Sequence, residues 1–355
     1  MQPSRYMKVV GLPSYPGRPQ FPTFIVGAIV IYNAAIVCKR GCNTKAVAAQ
    51  EMTLQLRSPL LAQTTLSSCV LFFLLISSPG PVTAGELTVV WGRNRAEGSL
   101  REACDTGLYA TVILSFLRVA GHGKYLTDLS GHDVSTVGAD VKHCQSAKNV
   151  TVLLSVAGSY NSPATARDVA DHLWNAFLGG ASRRGGVRRP FGDAVLDGVD
   201  FYLDGEAEQE RFSDLVRCRL QESRNNGGRN GAANKAVRLT ATPPCSRVLD
   251  ADMGGGELGL FERLHVRFYD EARCGYDYHE MRLFWGAWHM WVSRFPAARL
   301  LMGLPATDGM RGWIDPATLR DSVLPPVQDD PNYGGLMLWD RYYDKLTGYS
   351  RAIDP

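Results

Sequence analysis

Three carboxylates fall within eight residues near the middle of the chain, in Asp197-Gly198-Val199-Asp200-Phe201-Tyr202-Leu203-Asp204. The residues between them are apolar or aromatic, as in a core strand. Alternate side chains of an extended strand share a face, so Asp200, Tyr202 and Asp204 project together. Carboxylates converging on one side of such a strand suit general acid–base work, one holding a proton and another holding charge. Caps on a buried strand would account for Asp197 or Asp204 alone. They do not account for all three, because a buried carboxylate is costly unless paired and perturbed acids gather at functional sites. Glu206 has the same parity as Asp204 and would turn inward only if Gly205 forms a bulge.

Residues 85–355 supply the elements that must position this strand. Short β-branched or apolar runs occur at Leu87–Trp91, Ala110–Ser115, Val150–Ser155, Ala194–Phe201, Val237–Ala241, Leu264–Tyr269, Leu300–Leu304 and Gly335–Trp339. Most are continuously apolar, as in parallel strands buried on both faces. Amphipathic stretches lie between them. One starts at Ser162-Pro163 and repeats Val169, Leu173 and Phe177 at spacings of four. Another places Trp285, Trp288 and Trp291 at spacings of three, a stripe read as core in preference to a carbohydrate platform. Eight β/α alternations over this length predict a single (β/α)8 TIM barrel. An open doubly wound sheet is the alternative, but no glycine-rich dinucleotide loop follows the first strand. Barrel sites sit at the C-terminal strand ends, which here present Asp204, Tyr269, Asp270, Trp339 and Asp340. An aromatic face for a pyranose ring and carboxylates for its hydroxyls are the makings of a saccharide cleft.

The first 84 residues have another character. Met52 to Arg57 supplies a start and a positive charge; the apolar run Cys69–Ile76, the breakers Pro79-Gly80-Pro81 and the small-residue site Val82-Thr83-Ala84 follow. That order is a secretory signal peptide over 52–84, leaving 1–51 as an upstream gene-model extension. The other apolar run, Phe24–Cys38, is short for a membrane span of about 20 residues, so no stable span is expected in the mature chain. The leader holds seven Lys/Arg against one Asp/Glu, and the whole chain carries +3, so the remainder is near −3. The basic balance belongs to the leader and offers no case for nucleic-acid binding. Five cysteines remain beyond it, Cys104, Cys144, Cys218, Cys245 and Cys274, an odd set that leaves at least one outside any internal pairing. Neither a Cys-x-x-Cys nor a His-x-x-x-His spacing occurs, so neither a metal nor a cofactor is implied. Asn149-Val150-Thr151 is a glycosylation triplet abutting an apolar strand, and its occupancy stays open.

The run Asp197–Asp204 resembles the Asp-Gly-x-Asp-x-Asp-x-Glu signature of glycoside hydrolase family 18. Leu153-Leu154-Ser155-Val156-Ala157-Gly158 is similar to that family's Ser-x-Gly-Gly strand, with Ala157 in place of its first glycine. The resemblance covers essentially all of 86–355. It is closest to the plant class III chitinases and the cereal xylanase inhibitors, through Phe191 to Phe201 and Tyr333 to Tyr342. It implies disulfides Cys104–Cys144 and Cys245–Cys274, with Cys218 as the odd thiol, and substrate contacts from Tyr269, Asp270 and Trp339. It also implies the chemistry. A glutamic acid protonates the glycosidic oxygen, the substrate's N-acetyl group attacks the anomeric carbon, and an aspartate two residues earlier steadies the resulting cation, an exception to the two-carboxylate rule.

This chain departs from that pattern at both catalytic positions. The acid position is Asp204, one methylene short, which withdraws the carboxyl by about 1.5 Å; a misplacement of about 1 Å can cost on the order of a hundredfold. The assisting aspartate is Tyr202, and losing a preorganised charge costs roughly 10²–10³ more. The resemblance therefore implies a secreted, apoplastic, catalytically inactive chitinase-like inhibitor of microbial xylanases in plant defence. The rival readings are an active class III endochitinase, or a chitin-type lectin that binds the oligosaccharide through Tyr269 and Trp339 without hydrolysis. In such inhibitors a loop between the fourth helix and fifth strand presents an arginine to the target. Here that loop is 224–235, and Arg229 is its best-placed candidate for a bidentate pair with a catalytic carboxylate.

Overall fold

The apolar runs become the staves of a closed parallel barrel. The computed structural model describes residues 85–353, except 121–122, 159–162, 181–186, 205–212, 214–215, 219, 222–236 and 251–257. The leader, Glu206 and Arg229 lie outside the described residues. Nine strands are described: β1 Glu86–Trp91, β2 Thr111–Val119, β3 Tyr125–Thr127, β4 Thr151–Gly158, β5 Gly198–Tyr202, β6 Arg238–Thr242, β7 Arg263–Arg267, β8 Arg299–Pro305 and β9 Tyr333–Trp339. All but β3 pair in parallel in the order β1-β9-β8-β7-β6-β5-β4-β2, and β1 also pairs with β2, closing the ring. The expected eight-stranded barrel is therefore present.

Two details differ from expectation. β2 runs on to Val119 and turns back as the short antiparallel strand β3. The fourth barrel strand, β5, starts at Gly198, not at Ala194, because the chain from Phe191 is still turning: the Ala194 amide donates to the Phe191 carbonyl at 3.2 Å.

The motif's glycine has a steric cause. A Cβ on Gly198 would stand 1.9 Å from the Arg238 carbonyl oxygen, so the approach of β6 to β5 requires its absence. Asp197 just before it is a peg at the N-terminal end of the barrel. Its carboxylate accepts from the Val152 amide and the Gln145 side-chain amide, both at 2.8 Å.

The outer faces of the strands and the helices share one large apolar core. The helix Met281–Arg294 turns Phe284, Trp288 and Trp291 fully into it, and Trp285 stays half-buried, so the tryptophan stripe is core. The helix from Pro163 to Ala176 begins at the proline, whose missing amide costs nothing in a first turn. Disulfides join Cys104 to Cys144 and Cys245 to Cys274, as the resemblance implied, and Cys218 is buried and belongs to neither. No described helix is long and apolar enough to cross a membrane.

Candidate functional site

The inner wall of the barrel has two characters. On the β8–β9–β1 side, Val90, Leu301, Met337 and Tyr269 form a small apolar cluster, with Met310 and Trp339 packed on it. The opposite side, β4 to β7, is polar and stacked in two rungs. Both rungs use β5 and β7, alternate staves whose inward side chains share layers in such barrels.

The lower rung centres on Asp200, which is 1% exposed. One of its oxygens accepts from Thr240 at 2.7 Å and lies 3.1 Å from Nδ1 of His265; the other accepts from Ser155 at 3.1 Å. The Thr242 hydroxyl reaches both oxygens at 2.9 and 3.0 Å. Burial alone pushes the Asp200 carboxyl up, but the hydrogen bond and electrostatic pull of His265, with the threonine hydroxyls, outweigh it and hold the group below the usual carboxylate range. The sequence expectation that Asp200 faces inward with Tyr202 holds; its partners enclose it beneath the mouth.

The upper rung joins Tyr202 to Arg267. The guanidinium donates to the phenol oxygen and to the Leu203 carbonyl, and its carbon stands 4.1 Å from the centre of the Tyr202 ring. Burial holds the Tyr202 phenol above its ordinary value, against the pull of Arg267. Asp204 follows the end of the strand; its side chain is 62% exposed and lies 3.9 Å from the same guanidinium. Arginine thus takes hold of both positions that sequence reasoning marked as altered. That residue was missed. The signal was present in Leu264–Tyr269: His265 and Arg267 share Tyr269's parity, so a histidine and an arginine had to face the barrel interior.

Trp339 and Tyr269 stack at 5.6 Å, with Phe116 and Tyr202 further round the ring at 6.4 and 6.2 Å from Trp339. Tyr269 is 3% exposed, its hydroxyl has no hydrogen-bond partner among the described residues, and burial raises its phenol well above the ordinary value. Trp339 is half-buried and offers the aromatic surface at the opening. Asp270 is exposed, in a left-handed turn at φ 56°, a conformation in which aspartate is enriched. It makes no side-chain bond to the rungs. Asp340 is buried and caps the helix Arg341–Thr347 by accepting from the Tyr343 amide at 3.2 Å. Burial, with the nearby Glu97, pushes its carboxyl up to about 6. Among the described residues no group of three His, Cys, Asp or Glu could hold a metal ion.

A closed β/α barrel with this strand, an aromatic mouth and a cation beside Tyr202 and Asp204 defines a chitinase-like scaffold. No family model matches the chain. It is 43% identical over 306 residues to xylanase inhibitor protein 1 of Oryza sativa subsp. japonica, covering 83% of this chain and 95% of that protein. With xylanase inhibitor protein 1 of Triticum aestivum it shares 46% over 278 residues, or 76% of this chain and 87% of the wheat protein. The crystal structure of the xylanase and alpha-amylase inhibitor protein XAIP-II from Scadoxus multiflorus superposes with a TM-score of 0.67 at 33% identity, spanning 76% of this chain and 97% of that one. The chain belongs to glycoside hydrolase family 18, in the branch of plant xylanase inhibitor and class III chitinase-like proteins.

Proposed function

We propose that this protein is a secreted, non-hydrolytic, chitinase-like inhibitor of microbial xylanases. The observation that carries the loss of hydrolysis is the clamp of Arg267 on Tyr202. Family chemistry needs a negative charge where a cation develops, and this chain holds a guanidinium against a neutral phenol there. Any positive charge placed about 5 Å from a developing cation costs about 3 kcal/mol at an effective dielectric of ~20, and a guanidinium on this rung adds a penalty of that order to the loss of the aspartate itself. Kinship with proteins named xylanase inhibitors supports the positive half of the reading.

Inhibition would use loops outside the barrel mouth, with Arg229 of loop 224–235 offered to a catalytic carboxylate of the target. The half-buried Trp339 beside Tyr269 leaves a surface on which a chitin-type oligosaccharide could rest without turnover. The protein would be titrated against fungal xylanases of two different folds, with an α-amylase alongside. Stoichiometric loss of activity of at least one xylanase is expected, and full activity of both at excess protein sinks the proposal. Inhibition undiminished in Arg229→Ala removes the loop assignment and leaves the inhibitor reading in place.

A further inference from the structure

We propose that Asn149 carries an asparagine-linked oligosaccharide at the N-terminal end of the barrel. Asn149-Val150-Thr151 is the sole Asn-x-Ser/Thr triplet in the 355 residues, and its middle residue is not proline. Asn149 ends the helix Val134–Lys148 in a left-handed conformation, φ 54° and ψ 31°, with its backbone amide donating to the Cys144 carbonyl. That conformation favours asparagine over most residues, so it explains the asparagine by itself. It does not explain the threonine. Thr151 opens β4, where valine or isoleucine would serve the strand equally well, and its hydroxyl has no hydrogen-bond partner among the described residues. The Asn149 side chain is exposed and has none either. Among the described residues, neither side chain of the triplet is thus tied to the fold.

The surroundings suit a sugar. Asn149, Thr151, Gln145, Asp197, Arg238 and Glu262 border an open cleft of about 490 Å³, lined by donors and acceptors that suit sugar hydroxyls. This cleft lies at the start of β4, the end of the barrel away from Tyr202, Arg267 and Trp339, so the oligosaccharide leaves the mouth uncovered. In the transfer, the Asn149 amide nitrogen bonds to the anomeric carbon of a polyprenyl-pyrophosphate-linked oligosaccharide. The carbon–oxygen bond to the pyrophosphate breaks, the lipid pyrophosphate leaves, and the amide proton passes to a base of the transferase.

The inference rests on the secretory leader, and the test separates the two. The full chain is expressed in plant cells, once with its own leader and once with a host secretion signal fused ahead of it. The secreted protein is weighed before and after peptide:N-glycosidase, and the tryptic peptide beginning at Asn149 is sequenced. A mass loss on treatment with conversion of Asn149 to aspartate is expected, absent in Thr151→Val, which keeps a β-branched residue on the strand and the asparagine in its turn. An unmodified Asn149 in protein recovered from the medium overturns the site. Retention of the first form alone counts against the leader, and the second form then decides the site.

Discussion

The two rungs of the polar wall are built from the same two strands, and both set a basic side chain of β7 against β5. In the lower rung a carboxylate meets His265 and three hydroxyls, and every Asp200 contact lies inside the barrel. In the upper rung a phenol meets Arg267, and the carboxylate of Asp204 has moved out past the strand end into solvent. The lower rung encloses its anion; in the upper rung a guanidinium faces a neutral phenol and the anion beside it is exposed. The difference shows that one strand can carry an enclosed acid at Asp200 while the residues two and four positions further on face a guanidinium. A third carboxylate, Asp340, sharpens the contrast. It is nearly as buried as Asp200, but its neighbour is Glu97 and not a histidine, so its shift runs the other way.

The largest effect is expected from breaking the lower rung. Asp200→Ala leaves His265, Thr240, Thr242 and Ser155 without their shared acceptor, and removing one partner of such a buried pair costs about 3–5 kcal/mol. The denaturation midpoint in urea should fall far more for Asp200→Ala than for Asp204→Ala, whose exposed ion pair is worth little. Equal losses would dissolve the distinction between the rungs.

The upper rung is tested by rebuilding it. Tyr202→Asp with Asp204→Glu restores the carboxylates but leaves the guanidinium beside them. Adding Arg267→Gln should raise hydrolysis of chitooligosaccharides by on the order of a hundredfold over the double variant, the equivalent of about 3 kcal/mol. A double variant as active as the triple one would mean that Arg267 exerts no electrostatic penalty.

The smallest effect concerns Asp340 and depends on pH. Its folded value, about 6, lies above the ordinary 3.8, so the folded state binds the proton more tightly than the unfolded one. The resulting stability is present in full below about pH 4 and is lost as pH rises through 6. Asp340→Asn keeps a helix-capping side chain and removes the titration. It should gain on the wild type between pH 4 and 7 by on the order of 2–3 kcal/mol. Parallel stability curves for the two proteins over that range would show that the carboxylate is not perturbed.

Much of this was legible in the chain. The eight barrel strands stand out because parallel strands buried on both faces are nearly unbroken apolar runs, and alternation put Asp200 and Tyr202 on one face; Asp204, expected beside them, lies past the end of the strand. β3 was not, because three residues, Tyr125–Thr127, are too few to show a period. The partners of Asp200 could not be read either: Ser155, Thr240, Thr242 and His265 lie 23 or more residues apart along the chain wherever they belong to different strands, and only the side-by-side pairing of β4 to β7 in the curved wall brings them together. Arg267 was legible and overlooked, since its strand was read for apolarity and its one arginine of inward parity was passed over.

The wild-type protein's action on chitooligosaccharides tests the rebuilt upper rung most directly. Prolonged incubation of chitohexaose with the secreted protein, followed by mass spectrometry of the products, should show no shorter oligomers above the buffer control, from a preparation that inhibits a fungal xylanase in parallel. Sustained release of shorter oligomers that disappears in Asp204→Asn would contradict it, because the shortened acid beside Arg267 would then be a working catalyst.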